Sequence, residues 1–172
     1  GWLHVVATDT LTWMGHHAKR GAVAFNELGI LGKFKGTLIH DGWKPYRTLD
    51  CSHGLCNAHH LRELTYLHEE HKQEWAKDMI DLLTHANSQM QTLLSNHRVG
   101  HMRYAYEEIL NQAEISNPPA ISSGKPGRVK QTKAVNLIRR LREDADDVWR
   151  FITDPNIPFT NNLAEQAVRM PK

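Results

Sequence analysis

Gly36-Thr37-Leu38-Ile39-His40-Asp41-Gly42 is a short apolar run that delivers a carboxylate and then turns at once on a glycine. Leu38 and Ile39 favour a strand, and the Asp-Gly dipeptide supplies turn chemistry at its end. In open α/β sheets ligands bind beyond the carboxyl ends of the strands, which makes Asp41 the first candidate for chemistry. Read without its neighbours, Asp41 is more simply an Asp that opens a turn. Upstream, Leu3 to Ala7 is rich in β-branched residues, Thr8-Asp9-Thr10 reads as a turn, and Leu11 to Met14 continues as a second strand. That order predicts a hairpin. Ala22, Ala24, Phe25, Leu28 and Leu31 recur at helical spacing, with Gly29 and Gly32 as stop signals. Strand, strand, helix, strand favours a mixed sheet with a crossover helix.

Downstream, from His60, the chain reads as helical. Trp75, Met79, Leu82, Leu83, Ala86, Met90, Leu93 and Leu94 form a stripe that suits core packing. A shorter helix is expected over Met102 to Leu110. Ser116 to Gly127 is too rich in Pro, Gly and Ser to be anything but a linker. A third helix is expected from Thr132 to Phe151, with Ala134, Ile138, Leu141, Ala145, Val148 and Ile152 on one face. Pro155 and Pro158 interrupt the chain before a last helix that starts at Asn161 or Asn162.

The 172 residues, 40% hydrophobic and 23% charged, can build a buried core, and their net charge of +2 does not by itself require a nucleic-acid partner. Cys51 and Cys56 lie too close together for a secreted disulfide framework, and a reduced cytoplasmic setting fits better. No apolar stretch reaches bilayer length and no signal segment opens the chain, so no membrane partner is expected. Both ends read as cut, with Gly1 leading straight into a strand and Arg169-Met170 falling inside a helix.

Glu165 is the second candidate acid. Its plain reading is local: Asn162 as N-cap with Glu165 three residues on is a variant of the capping box. Three blocks change the weighing. His40-Asp41-Gly42-Trp43 with Tyr46, then Cys56-Asn57-Ala58-His59 with Leu61-Arg62-Glu63-Leu64, then Pro158-Phe159-Thr160-Asn161-Asn162 with Ala164-Glu165 and Arg169-Met170, resemble the transposases of insertion-sequence family sixty-six. The order of the blocks matches, as do the helical stretch and the linker between the second and third. The likeness extends to Trp2-Leu3-His4-Val5 and Thr8-Asp9-Thr10-Leu11.

The resemblance implies a DDE active site on an RNase H-like mixed sheet, with a long helical insertion and a helix-rich chain overall. Residues 1–60 would be a partial catalytic core lacking its first strand, and residues 61–153 the insertion with a linker near 116–128. Residues 154–172 would open the helix that carries the third acid. Asp41 corresponds to the second acid and Glu165 to the third, 124 positions apart (165 − 41). Together they would hold Mg²⁺ or Mn²⁺. In such sites two ions about 3.5–4 Å apart activate the attacking oxygen and stabilise the leaving one. The first acid would lie on a strand before Trp2. Asp9 reads as a turn residue, so the chain alone is expected to be catalytically incomplete. Trp43, Tyr46, Cys56, His59, Asn161 and Asn162 would shape the site. Thr160 stands where the family often has Asp, and Gln166 where it often has Arg. The implied partners are transposon ends and target DNA, with a homo-oligomer in the synaptic complex and a nucleoid-associated location.

Two further features bear on partners. Cys51, His53, Cys56 and His59 offer four ligands for tetrahedral Zn²⁺, although their tight spacing is not that of a finger. A non-catalytic DNA- or protein-binding module built on that zinc site is the alternative reading, and a helical interaction domain is a third. Lys125, Arg128, Lys130, Lys133, Arg139, Arg140 and Arg142 carry no intervening acid before Glu143. Of these, Lys125, Arg128, Lys130 and Lys133 suit a grip on DNA phosphates, as does Arg169. The mid-helix arginines read equally as a solvated face.

Overall fold

Trp2–Ala7 (β1) and Thr12–His17 (β2) pair antiparallel from Trp2↔His17 to Ala7↔Thr12. The computed structural model to which they belong describes residues 1–90, 96–121 and 129–169. It divides into one unit of Gly1–Cys56 with Asn156–Lys172 and another of Asn57–Pro155.

In the first unit, the Thr8 amide donates to the Leu11 carbonyl at 2.7 Å and Thr8 Oγ1 accepts from the Leu11 amide at 3.0 Å. Asp9 therefore lies in a hairpin turn. Ala22–Leu28 (α1) follows and ends on Gly29, whose φ of 75° suits a residue without a β-carbon. Thr37–His40 (β3) and Ser52–Leu55 (β4) then pair in parallel, from Thr37↔Ser52 to His40↔Leu55. Their connection is short for a parallel pair and is taken up by a 3-10 turn over Lys44–Thr48.

Among the described residues there are thus two two-stranded sheets, β1-β2 and β3-β4, in place of one mixed sheet. The sequence of β4, Ser-His-Gly-Leu, carries no strand signal. It becomes a strand because pairing with β3 satisfies its backbone while Gly54 and Leu55 are buried.

The second unit is helical, with Asn57–His71 (α2), Glu74–Gln89 (α3), Asn96–Ser116 (α4), Lys133–Glu143 (α5), Ala145–Val148 (α6) and Arg150–Thr153 (α7). Successive members of α2 to α5 pack on one another. Trp75, Met79, Leu83 and Ala86 form the buried stripe of α3, while Leu93 and Leu94 lie outside the described residues. The helix expected over Met102 to Leu110 is longer at both ends, because Tyr106, Leu110 and Ala113 continue one buried face. No helix among the described residues is long and apolar enough to cross a membrane.

The single helix expected from Thr132 to Phe151 is broken into three. It starts as read, with Thr132 Oγ1 accepting from the Val135 amide at 3.1 Å, a cap of about 1 kcal/mol. At Asp144 the backbone leaves the helical region (φ −106°, ψ 19°), and its carbonyl accepts the amides of Asp147 and Val148, both at 3.0 Å. Trp149 marks a second break (φ −91°, ψ 5°). These breaks let both Trp149 and Phe151 enter the core, which one straight amphipathic face does not allow.

Buried polar groups in this unit are paired across elements. Asn57 donates from Nδ2 to the Val148 carbonyl at 3.0 Å and accepts at Oδ1 from His60 Nδ1, also at 3.0 Å. Tyr106 donates its hydroxyl to the Leu141 carbonyl at 2.8 Å. Burial, helped by the charge of Arg140, pushes His60 down from 6.5 to about 4. His60 is therefore neutral in the fold and charges more readily in the unfolded chain. Its contribution is complete above pH 6.5 and is lost as pH falls from there toward 4. Denaturant titrations should show a loss of about 2 kcal/mol between pH 7 and pH 5 from this group. His60→Gln should remove most of that drop, and an unchanged pH slope in this variant would rule out His60 as its source.

Candidate active site

The ladder between β3 and β4 ends with the Cys56 amide donating to the His40 carbonyl at 2.8 Å. Asp41 and Cys56 therefore leave the two strands side by side at their carboxyl ends. Gly42 turns the chain with a φ of 83°, a conformation that side chains resist. Asp41 is exposed, and its Oδ1 accepts the Trp43 amide at 2.9 Å.

Behind this turn lies a pair of histidines that the sequence reading did not connect. His40 is 3% exposed. The Gly42 amide donates to its Nδ1 at 3.0 Å, and an amide can only donate, so the proton of neutral His40 sits on Nε2. Nε2 then donates to His53 Nδ1 at 3.1 Å, and His53 Nε2 donates to the Leu49 carbonyl at 3.3 Å. The imidazole of His40 thus braces the Asp41–Gly42 turn from its own strand and is backed by His53 on the neighbouring strand. The available signal was a histidine closing an otherwise apolar strand directly before an acid.

Trp43 and Tyr46 are half-buried in an aromatic cluster. Phe25 stacks on Tyr46 at 5.1 Å between centroids and meets Trp43 edge-on at 6.4 Å, and His40 lies 5.0 Å from Tyr46. Packing occupies both rings. Burial raises the Tyr46 hydroxyl, and the negative charge of Asp41 raises it further.

Glu165 comes from the far end of the chain. Asn162–Val168 (α8) packs on β1, within the first unit. Its N-cap is Asn161, which makes no side-chain capping bond, so the capping-box reading of Glu165 with Asn162 as cap does not hold. The Asn161 amide instead donates to Cys56 Sγ at 3.3 Å, across 105 positions. A carboxylate oxygen of half-buried Glu165 lies within 4.8 Å of that sulfur. Cys56 is thus the joint: its backbone ends the strand beside Asp41, and its side chain meets the segment that carries Glu165. Asp41 itself is not part of the close group around Cys56. Asn161 Oδ1 is buried with no donor among the described residues. These oxygen donors suit a hard divalent cation, whereas the Cys56 thiol does not.

The family model described as Transposase IS66 family matches residues 1–172. The chain belongs to this family of transposases. No curated protein and no solved structure matches it.

In this transposase chain the four-ligand zinc arrangement is not formed. His53 uses both ring nitrogens on His40 and Leu49, and neither Cys51 nor His53 joins the close group around Cys56. His59 stands half-buried in the first turn of α2.

Lys125 and Arg128 lie outside the described residues. Lys130, Lys133, Asn162 and Arg169 are exposed, with Lys133 Nζ 4.1 Å above the Tyr66 ring. The mid-helix arginines are engaged by acids of the helical unit. Arg140 binds Glu63 through two bonds of 3.0 and 2.6 Å, Arg142 reaches Glu107 at 2.5 Å and Glu114 at 2.8 Å, and Arg139 lies 4.0 Å from Glu143. The partners of Arg140 and Arg142 are remote in sequence, so a linear reading could not assign them, whereas Glu143 lies one helical turn from Arg139.

Proposed function

We propose that Asp41 and Glu165 are the second and third carboxylates of a DDE centre on an RNase H-like core. In this reading the centre cleaves and transfers DNA strands with Mg²⁺ or Mn²⁺, at transposon ends and target. The observation that carries the reading is the double role of Cys56, at the strand end beside Asp41 and in contact with the Asn161 segment that bears Glu165. When bound, the divalent ions would activate the attacking oxygen and stabilise the leaving one. Asp41 presents its carboxylate from a turn fixed by the Trp43 amide and backed by His40. Glu165 presents its own from a short helix held by Cys56. Asp9, in the hairpin turn, is not the first acid of the set. Lys130, Lys133 and Arg169 would meet DNA phosphates, together with Lys125 and Arg128, and the active assembly would be a homo-oligomer.

Substituting Fe²⁺ for Mg²⁺ and adding ascorbate and peroxide tests this directly, because hydroxyl radicals cut the backbone next to the bound ion. Cuts are expected around residues 41–43 and 161–165, and Asp41→Asn or Glu165→Gln should suppress both sets. Cuts confined to the Cys51–His53 segment, or none at all, would overturn the assignment.

A further inference from the structure

Arg20, in the loop between β2 and α1, lies over two indole rings. Its guanidinium carbon is 4.6 Å from the centroid of Trp2 and 4.7 Å from that of Trp43. Cation–π attraction of this kind holds the cation in place without neutralising it and without consuming its N–H donors. Arg20 is exposed, and among the described residues no carboxylate pairs with it and no hydrogen bond engages it. That sets it apart from Arg103, Arg140 and Arg142 in the helical unit, each of which is bound to an acidic side chain. One of its two supporting rings belongs to Trp43, whose amide is held by Asp41 Oδ1 at 2.9 Å. A full positive charge with unclaimed, planar N–H donors is thus anchored to the residue that fixes the Asp41 turn.

We infer that Arg20 is a DNA-phosphate contact beside the cleavage centre, its guanidinium pre-positioned by Trp2 and Trp43 to take a backbone phosphodiester through its N–H fork. The inference rests on the DNA-processing reading above. Phosphate oxygens match the fork geometry of arginine, and a side chain already held by two rings loses little freedom on binding. The contact reads no base, so it should act alike on any sequence.

The test uses the 172-residue chain, a fluorescein-labelled duplex of about 30 base pairs and arbitrary sequence, and EDTA to silence metal-dependent steps. Anisotropy is followed over a range of KCl concentrations, with the thermal midpoint of each variant measured alongside. Arg20→Gln is expected to weaken binding about tenfold at low salt, equally on unrelated duplexes, and to reduce the slope of log K against log salt by about one. Arg20→Lys keeps the charge but loses the fork, so it should bind about threefold more weakly with an unchanged slope. If the wild-type chain binds while Arg20→Gln matches it in both affinity and slope, Arg20 only braces the two indoles and the inference falls alone. If Arg20→Gln fails to fold, wild-type affinity in Arg20→Lys overturns it. Absence of any salt-dependent binding by the wild-type chain removes the DNA-processing reading and this inference together.

Discussion

Replacing Asp41 by Asn, or Glu165 by Gln, is expected to lower the rate of strand cleavage by the transposase about a thousandfold while leaving the fold intact. Both changes keep the shape of the side chain and remove only its charge. Asn at position 41 retains the oxygen that accepts the Trp43 amide, and Asp41 is exposed, so no core contact is lost. In the proposed DDE centre, what disappears is a hard, anionic metal ligand where charge is stabilised in the transition state. Such stabilisation is worth several kcal/mol, and each 1.36 kcal/mol is a decade in rate, so about 4 kcal/mol corresponds to about 10³. Single-turnover cleavage of a labelled duplex carrying the transposon end, by the transposase in Mg²⁺, measures it. Wild-type rates for both variants would sink the carboxylate assignment.

Trp149→Ala should destabilise the helical unit by about 3–5 kcal/mol, a large share of the stability of an ordinary domain. Trp149 is fully buried, lies edge-on to Tyr106 at 5.5 Å and stacks near Phe151 at 6.2 Å. Truncation leaves a void that close-packed helices cannot refill. Trp149→Phe provides the control. It keeps an aromatic face against Tyr106 and removes an indole N–H that is buried without an acceptor among the described residues. Its cost should stay below about 1.5 kcal/mol. Urea titrations of the two variants decide the matter, and equal losses would mean that ring volume at this position is not what holds the unit.

Residues whose structure depends on their immediate neighbours were legible in advance. The hairpin around Thr8-Asp9-Thr10, the end of α1 at Gly29 and the start of α5 at Thr132 follow from turn and cap chemistry within a few positions. Asp41 at the end of a strand was readable for the same reason. Motifs in the right order also pointed to the family, which the match over the whole chain bears out. The break of the third helix was not readable, since its apolar spacing continues through Asp144 and only the demand of Trp149 and Phe151 for burial interrupts it.

Sequence alone therefore determined the family and the local conformations at the Thr8–Thr10 turn, Gly29 and Thr132, and it proposed the two candidate acids, because these rest on short spacings and ordered motifs that the chain carries along its length. Tertiary structure alone decided that Ser52–Leu55 is a strand, that Cys56 joins the Asp41 edge to the Glu165 helix, and that His40 leans on His53. It also decided which arginines meet acids and that Arg20 meets two indoles. Each of these is a contact between residues remote in sequence or without a local signal, made when backbone pairing and burial bring them within a few ångströms.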